Sequence, residues 1–357
     1  MKTAPDIAQP SATLSWLIVE LTNICNLHCS YCLRDEDALY HTRASHLPID
    51  LLRRILREAR ECAGIRHVSF TGGETTLHPK FNEVIEAVRD EGLTASFVTN
   101  GWHFQRVWPT LAANRATIDH VAFSLDGATR EAHDGWRGEG SFNRLISAFA
   151  RCRAGGIKFH VKVMLRRDVV PQLEQIALLA ARLGADALSF AHTLPTSGAF
   201  DESAMTLAER RYAEEEIATL RSIFKMKISI DVGYANTDPA PPCNALLGLT
   251  ANVDYRGRLS LCCNISGFRG ATKDEPDVVA DLAREDFAEG YARLKRVVEE
   301  QLARRREALS ALAASGVEAD LYTASPCLLC MNDFGKMPWR AASARNSRAL
   351  PVLSTTL

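Results

Sequence analysis

Three cysteines, Cys25, Cys29 and Cys32, fall within the run Cys25-Asn26-Leu27-His28-Cys29-Ser30-Tyr31-Cys32. Three thiolates on one tight turn can each bind an iron of a [4Fe-4S] cube and leave the fourth iron open to a small ligand. The same residues could instead form a structural zinc loop, a disulfide pair or buried free thiols. A tetrahedral zinc site normally closes with a fourth ligand nearby, whereas His28 sits inside the loop rather than at a following ligand spacing. A second set lies downstream: Cys243, thirteen residues, Gly257, four residues, Cys262, then a long insertion and Cys327-Leu328-Leu329-Cys330. Cys243, Cys262, Cys327 and Cys330 supply four thiolates, enough to ligate every iron of a cube or to close a zinc site. Cys263 is left over, as a replacement ligand, a thiol that donates a hydrogen atom, or a small buried apolar residue, the usual fate of a free cysteine.

Strands alternating with amphipathic helices must position these groups, the pattern of a parallel sheet with crossover helices. The periodicity predicts strands at Trp16–Thr22, Arg66–Thr71, Thr94–Thr99, Ile118–Leu125, Lys158–Leu165 and Asp186–Phe190. Helices are expected at Asp50–Cys62, Lys80–Glu91, Phe104–Asn114, Ser141–Ala154 and Val170–Leu183, followed by a charged helix over 207–223 and a further stretch at Lys227–Val232. Polar groups gather where strands end. The second strand runs into Gly72-Gly73-Glu74-Thr75, where glycines allow close backbone approach and carbonyls with a carboxylate can accept from an ammonium group. Asn100-Gly101 follows the third strand, and Ser124 and Asp126-Gly127 end the fourth, where short polar groups either bind a ligand or cap turns.

The order and context of these motifs resemble the radical SAM superfamily, with the second cysteine set resembling its SPASM or shorter twitch extension. The resemblance implies an α/β fold: a (β/α)6 partial TIM barrel over residues 14–235, with its site at the strand C-terminal ends. A twitch/SPASM-like domain over 236–337 and a tail over 338–357 complete it, with a hairpin of Thr250–Tyr255 and Leu259–Cys262 turning at Arg256-Gly257. It also implies that Cys25, Cys29 and Cys32 hold a [4Fe-4S] cluster chelated by S-adenosylmethionine (SAM), with Tyr31, Gly72, Gly73, Glu74, Asn100, Ser124 and Asp126 around the SAM. Thr75 stands where the family often has proline. No cysteine follows Cys330, so the resemblance implies one auxiliary [4Fe-4S] cluster on Cys243, Cys262, Cys327 and Cys330.

By that resemblance, reductive cleavage of SAM yields a 5′-deoxyadenosyl radical that abstracts a substrate hydrogen atom, with an external donor such as flavodoxin or ferredoxin supplying the electron. The expected reaction is a two-electron oxidation of a small biosynthetic intermediate, the electron returning through the auxiliary cluster. The alternative is maturation of a ribosomally made peptide by crosslinking or epimerisation, and a third reading is a non-enzymatic electron carrier. The first is preferred because only some fifteen residues precede the first strand, leaving no room there for a winged peptide-recognition domain. Candidates for a base or hydrogen donor are Lys162, His160, His192, Arg137 and Cys263.

A chain of 357 residues, 46% hydrophobic and 24% charged, can bury a sizeable core and suits one large domain with an appendage. Its net charge of -1 gives no argument for nucleic acid or an anionic membrane as partner. The sequence has neither a basic hydrophobic leader nor an apolar run of eighteen residues, so a cytoplasmic location is expected, where ten cysteines favour iron or catalysis over disulfides. Cys62 and Cys152 are expected in the core, and Arg304-Arg305-Arg306 on a solvated helix face.

Overall fold

The computed structural model describes residues 13–34, 43–197, 204–239, 241–267 and 275–340. Seven parallel strands form the body of one sheet: β1 (Trp16–Glu20), β2 (His67–Thr71), β3 (Thr94–Thr99), β4 (Ile118–Ser124), β5 (Phe159–Leu165), β6 (Ala187–His192) and β7 (Lys227–Val232). Between and after them come α1 (Ile49–Ala63), α2 (Phe81–Asp90), α3 (Phe104–Ala113), α4 (Arg130–Arg137), α5 (Ser141–Gly155), α6 (Leu173–Leu183) and α7 (Leu207–Ile223). The strand order follows the chain order from β1 to β7, each strand pairing in parallel with the one before it.

Alternation along the strands separates two faces. Phe70, Phe97, Phe123, Phe159 and Phe190, one from each of β2 to β6, are buried beneath the helices, each stabilising the fold by about 2 kcal/mol through removal from water. The opposite face is polar: Ser96 donates to Ser69 across β3 and β2 at 3.1 Å, and the rings of His120 and His160 stack 3.7 Å apart. The helices obey the complementary rule. In α1 the buried Ile49, Leu52, Ile55, Leu56, Ala59 and Ala63 form one stripe, and the helix stops at Gly64, whose φ of 71° lies in the left-handed region that favours glycine. Cys62 lies off that stripe and is exposed, contrary to expectation, whereas Cys152 on α5 is fully buried.

After β7 the chain returns to the other edge. β8 (Thr250–Val253) pairs in parallel with β1, and β9 (Arg258–Ser260) and β10 (Val278–Asp281) continue antiparallel, giving ten strands in the order β10-β9-β8-β1-β2-β3-β4-β5-β6-β7. The expected hairpin is therefore present, and it extends the core sheet. A long helix α8 (Phe287–Ser315), then α9 (Leu321–Ala324) and α10 (Pro326–Asp333), close this end. The arginine run on α8 is not wholly solvated: Arg305 is buried and donates to the carbonyls of Asp238, at 3.0 Å, and Asn236. Most of the tail after Pro338 lies outside the described residues.

Candidate functional site

The first cysteine loop leaves β1 and is fastened to the turn after β2. Gly73 N donates to Thr22 O and Glu74 N to Ile24 O, both at 2.8 Å. A Cβ on Gly73 would lie 1.9 Å from the Ile24 carbonyl oxygen, and one on Gly72, whose φ is 124°, would meet Thr22 O at 2.6 Å. Both glycines are thus required for the cysteine loop to approach. Glu74, expected as an ammonium acceptor, is held within the protein through both carboxylate oxygens. Its buried carboxylate accepts from Thr76 N at 3.0 Å, Thr76 Oγ1 at 2.5 Å and Thr99 Oγ1 at 2.6 Å on one oxygen and from Asn100 N at 2.8 Å on the other, which keeps capacity for a further donor. It ties the ends of β2 and β3 together. Asn100 both caps its turn, through Trp102 N at 2.9 Å, and donates to Asn26 Oδ1 at 3.0 Å inside the cysteine loop.

Asp126, expected near the ribose, is engaged by side chains from several elements. Its carboxylate accepts from Tyr31 Oη and Arg137 Nε on one oxygen and from Met164 N at 3.3 Å on the other, with Arg166 3.5 Å away. Burial opposes ionisation here, but the Arg137 and Arg166 guanidinium groups and the Tyr31 hydroxyl outweigh it and hold the carboxyl below the usual carboxylate range. The cage joins the cysteine loop, through Tyr31, to α4 and the end of β5. Arg166 stacks 4.0 Å over the Trp136 ring and 5.3 Å from that of Tyr31, so Tyr31, Trp136 and Arg166 make one stacked wall. Ser124, the last residue of β4, is half-buried on the polar face beside Lys162 in register.

Burial pushes the Cys25 thiol up to about 12, reinforced by the Glu74 carboxylate, and raises that of Cys29. Cys243, Cys262, Cys327 and Cys330 line one cavity with Leu194, Leu246 and Met331. Burial likewise raises Cys327 to about 12, and raises Cys243 and Cys330. Backbone N–H groups are nevertheless aimed at sulfur in both sets: Leu27 N at Cys25, Gly233 N at Cys327 and Asn264 N at Cys262, at 3.5, 3.3 and 3.5 Å. Such donors favour the thiolate, the form a cationic iron cluster would bind outright, so the donor sets fit the implied clusters. Among the described residues, no three His, Cys, Asp or Glu side chains are already drawn together around a single-ion position.

The candidate bases separate. Lys162 sits half-exposed on the polar face and pairs with Asp231 at 2.9 Å. His192 is buried, bonded to Glu214 at 3.1 Å and pushed below its usual range by burial, which makes it a packing residue between β6 and α7. His160 is taken up by stacking and Arg137 by Asp126. Cys263 is half-buried; the Cys262 thiol donates to it, and that bond, helped by Arg34 and Lys162, lowers it. Arg34, Glu20, Arg166 and Asp231 were not expected from the sequence, because the pairs Arg34–Glu20, Arg166–Asp126 and Lys162–Asp231 join separate segments of the chain.

Comparison with known proteins bears on the family and the fold. Residues 19–180 match the family model described as the Radical SAM superfamily. Mycofactocin maturase MftC of Mycobacterium tuberculosis is 36% identical over 180 residues, covering 48% of this chain and 42% of the relative. The chain therefore spans less than half the length of the mycofactocin maturases it matches. PqqA peptide cyclase of Gluconobacter oxydans is 28% identical over 260 residues, covering 71% of each chain. The structure of Streptococcus suis SuiB bound to precursor peptide SuiA superposes with a TM-score of 0.63 at 17% identity, covering 80% of this chain and 67% of that one, which establishes a shared fold.

Proposed function

We propose that this chain is a radical SAM enzyme that matures a ribosomally made peptide, crosslinking or epimerising a residue through a substrate radical. The observation that carries the reading is the alignment with a peptide cyclase over 71% of both chains, well beyond the segment matched to the family model. It favours a peptide over the small intermediate preferred on sequence grounds.

Cys25, Cys29 and Cys32 would hold the SAM-binding [4Fe-4S] cluster, and Cys243, Cys262, Cys327 and Cys330 the auxiliary one. When bound, the first cluster and SAM supply a 5′-deoxyadenosyl radical that takes a hydrogen atom from the substrate. The protein's part is positioning and exclusion of water. Gly72, Gly73 and the Glu74 carboxylate would receive the methionine end, and Ser124 and Asp126 would lie toward the ribose. The wall of Tyr31, Trp136 and Arg166 keeps water from that side. Lys162, paired with Asp231 at 2.9 Å, is a basic side chain on the polar face of the sheet. An external one-electron donor such as flavodoxin or ferredoxin completes the system. Among the described residues no helix is long and apolar enough to cross a membrane.

The test is anaerobic incubation of the reconstituted, reduced protein with SAM and short precursor peptides encoded beside its gene. Peptide-dependent 5′-deoxyadenosine, with a peptide that loses two hydrogens or takes up one deuterium from heavy water, supports the reading. SAM cleavage that responds to small alcohols or amines but to none of the peptides overturns it.

A further inference from the structure

We infer that Arg34, held by Glu20, is a positioning residue that links the two cysteine loops and sets the electrostatic environment of both clusters. The inference rests on the two-cluster reading above. Arg34 stands two residues beyond Cys32. One of its nitrogens lies 3.0 Å from a Glu20 carboxylate oxygen, and another donates to the carbonyl of Ser266 in the loop that follows Cys262 and Cys263. The same guanidinium packs against Gly267, where a Cβ would come within 3.4 Å of it. A single side chain therefore spans from the loop of the first cluster to that of the second.

Its anchor is also built into both halves. Glu20 is the last residue of β1 and its side chain is only 2% exposed. Asn252 on β8 donates to Glu20 at 3.1 Å and to Ser260 on β9 at 3.1 Å, so the carboxylate that orients Arg34 is fixed by the hairpin leading to Cys262. Asp254, the other acid acting on Glu20, is occupied by Arg258 at 2.6 Å. The charges that act on Arg34 are those of Glu20, Cys263 and Cys32, from both loops.

Reducing an iron-sulfur cluster adds negative charge, so charge and hydrogen bonds close to the sulfurs set its potential. A fixed guanidinium shared by two clusters stabilises the reduced form of each. Removing it should lower both midpoints, whereas removing only Glu20 leaves the cation uncompensated and should raise them. A residue acting merely as packing would not produce opposite signs.

The experiment is an EPR-monitored redox titration of the reconstituted full chain as wild type, Arg34→Met and Glu20→Gln, with iron counted in each. Midpoints of both clusters falling in Arg34→Met and rising in Glu20→Gln support the inference. Midpoints unchanged in both variants, or moved in the same direction, overturn it. Should Arg34→Met fail to load iron, Glu20→Gln decides alone, an upward shift supporting the inference and no shift overturning it. A wild type that carries a single cluster sinks the two-cluster reading itself and with it the link, an outcome distinct from two clusters with unmoved potentials.

Discussion

Replacing Asp126 by Asn should unfasten the cysteine loop from the barrel. The carboxylate is fully buried and faces Arg137 and Arg166, whose side chains are only 9% and 8% exposed. Asn keeps the shape but leaves two guanidinium groups without their common counter-ion. Breaking a buried pair by removing one partner costs about 3–5 kcal/mol, mostly the desolvation of the charge left behind. Part of this should return when Arg137 is also removed, because Arg166 retains Asp168 at 3.1 Å. The double variant Asp126→Asn/Arg137→Met is thus expected to be less destabilised than the sum of the single changes by about 1–3 kcal/mol. Urea unfolding of the metal-free proteins gives both quantities. Asp126→Asn within about 1 kcal/mol of wild type, or strictly additive changes, would refute the cage as the joint between Tyr31 and the barrel.

Four further outcomes follow from the same geometry. Gly73→Ala places a methyl 1.9 Å from Ile24 O, so the loop must move; iron content should fall by about four per chain while circular dichroism keeps its helical signal. His133 is fully buried and accepts from Asp126 N, and burial, aided by Arg137, lowers it to about 4. The unfolded chain then binds the extra proton between pH 6.5 and about 4, so stability is present above that window and lost as pH falls through it. At pH 5 the loss is about 2 kcal/mol, and His133→Asn should remove it from the pH dependence of urea unfolding. Lys336 and Asp277 form a 2.6 Å ion pair with side chains 2% and 1% exposed; Lys336→Met should cost about 3–5 kcal/mol and Lys336→Met/Asp277→Leu much less, read by thermal melting. Cys263→Ala should retain the full iron content, with reduced iron showing instead that this cysteine is a ligand.

The cysteine loop and the Gly-Gly turn were legible in the sequence because their chemistry is local: the spacing of a few residues already brings the groups together. The bonds that hold Glu74 and Asp126 were not legible because the groups that make them lie elsewhere, Thr99 and Asn100 at the end of β3, and Tyr31, Arg137 and Arg166 in three separate segments. Hydrophobic periodicity located β1 to β6 to within a residue or two, whereas β10 and α9, of four residues each, are too short to show a period. Charge patterning misplaced Arg305, since the carbonyls of Asn236 and Asp238 that receive it come from a loop far along the chain.

The account rests on two cysteine sets that hold two clusters, and iron and labile sulfide analysis after anaerobic reconstitution tests it most directly. The account expects about eight irons in the wild type and about four in either Cys25/Cys29/Cys32→Ala or Cys243/Cys262/Cys327/Cys330→Ala. About four irons in the wild type, falling to none when only the first set is replaced, would contradict it.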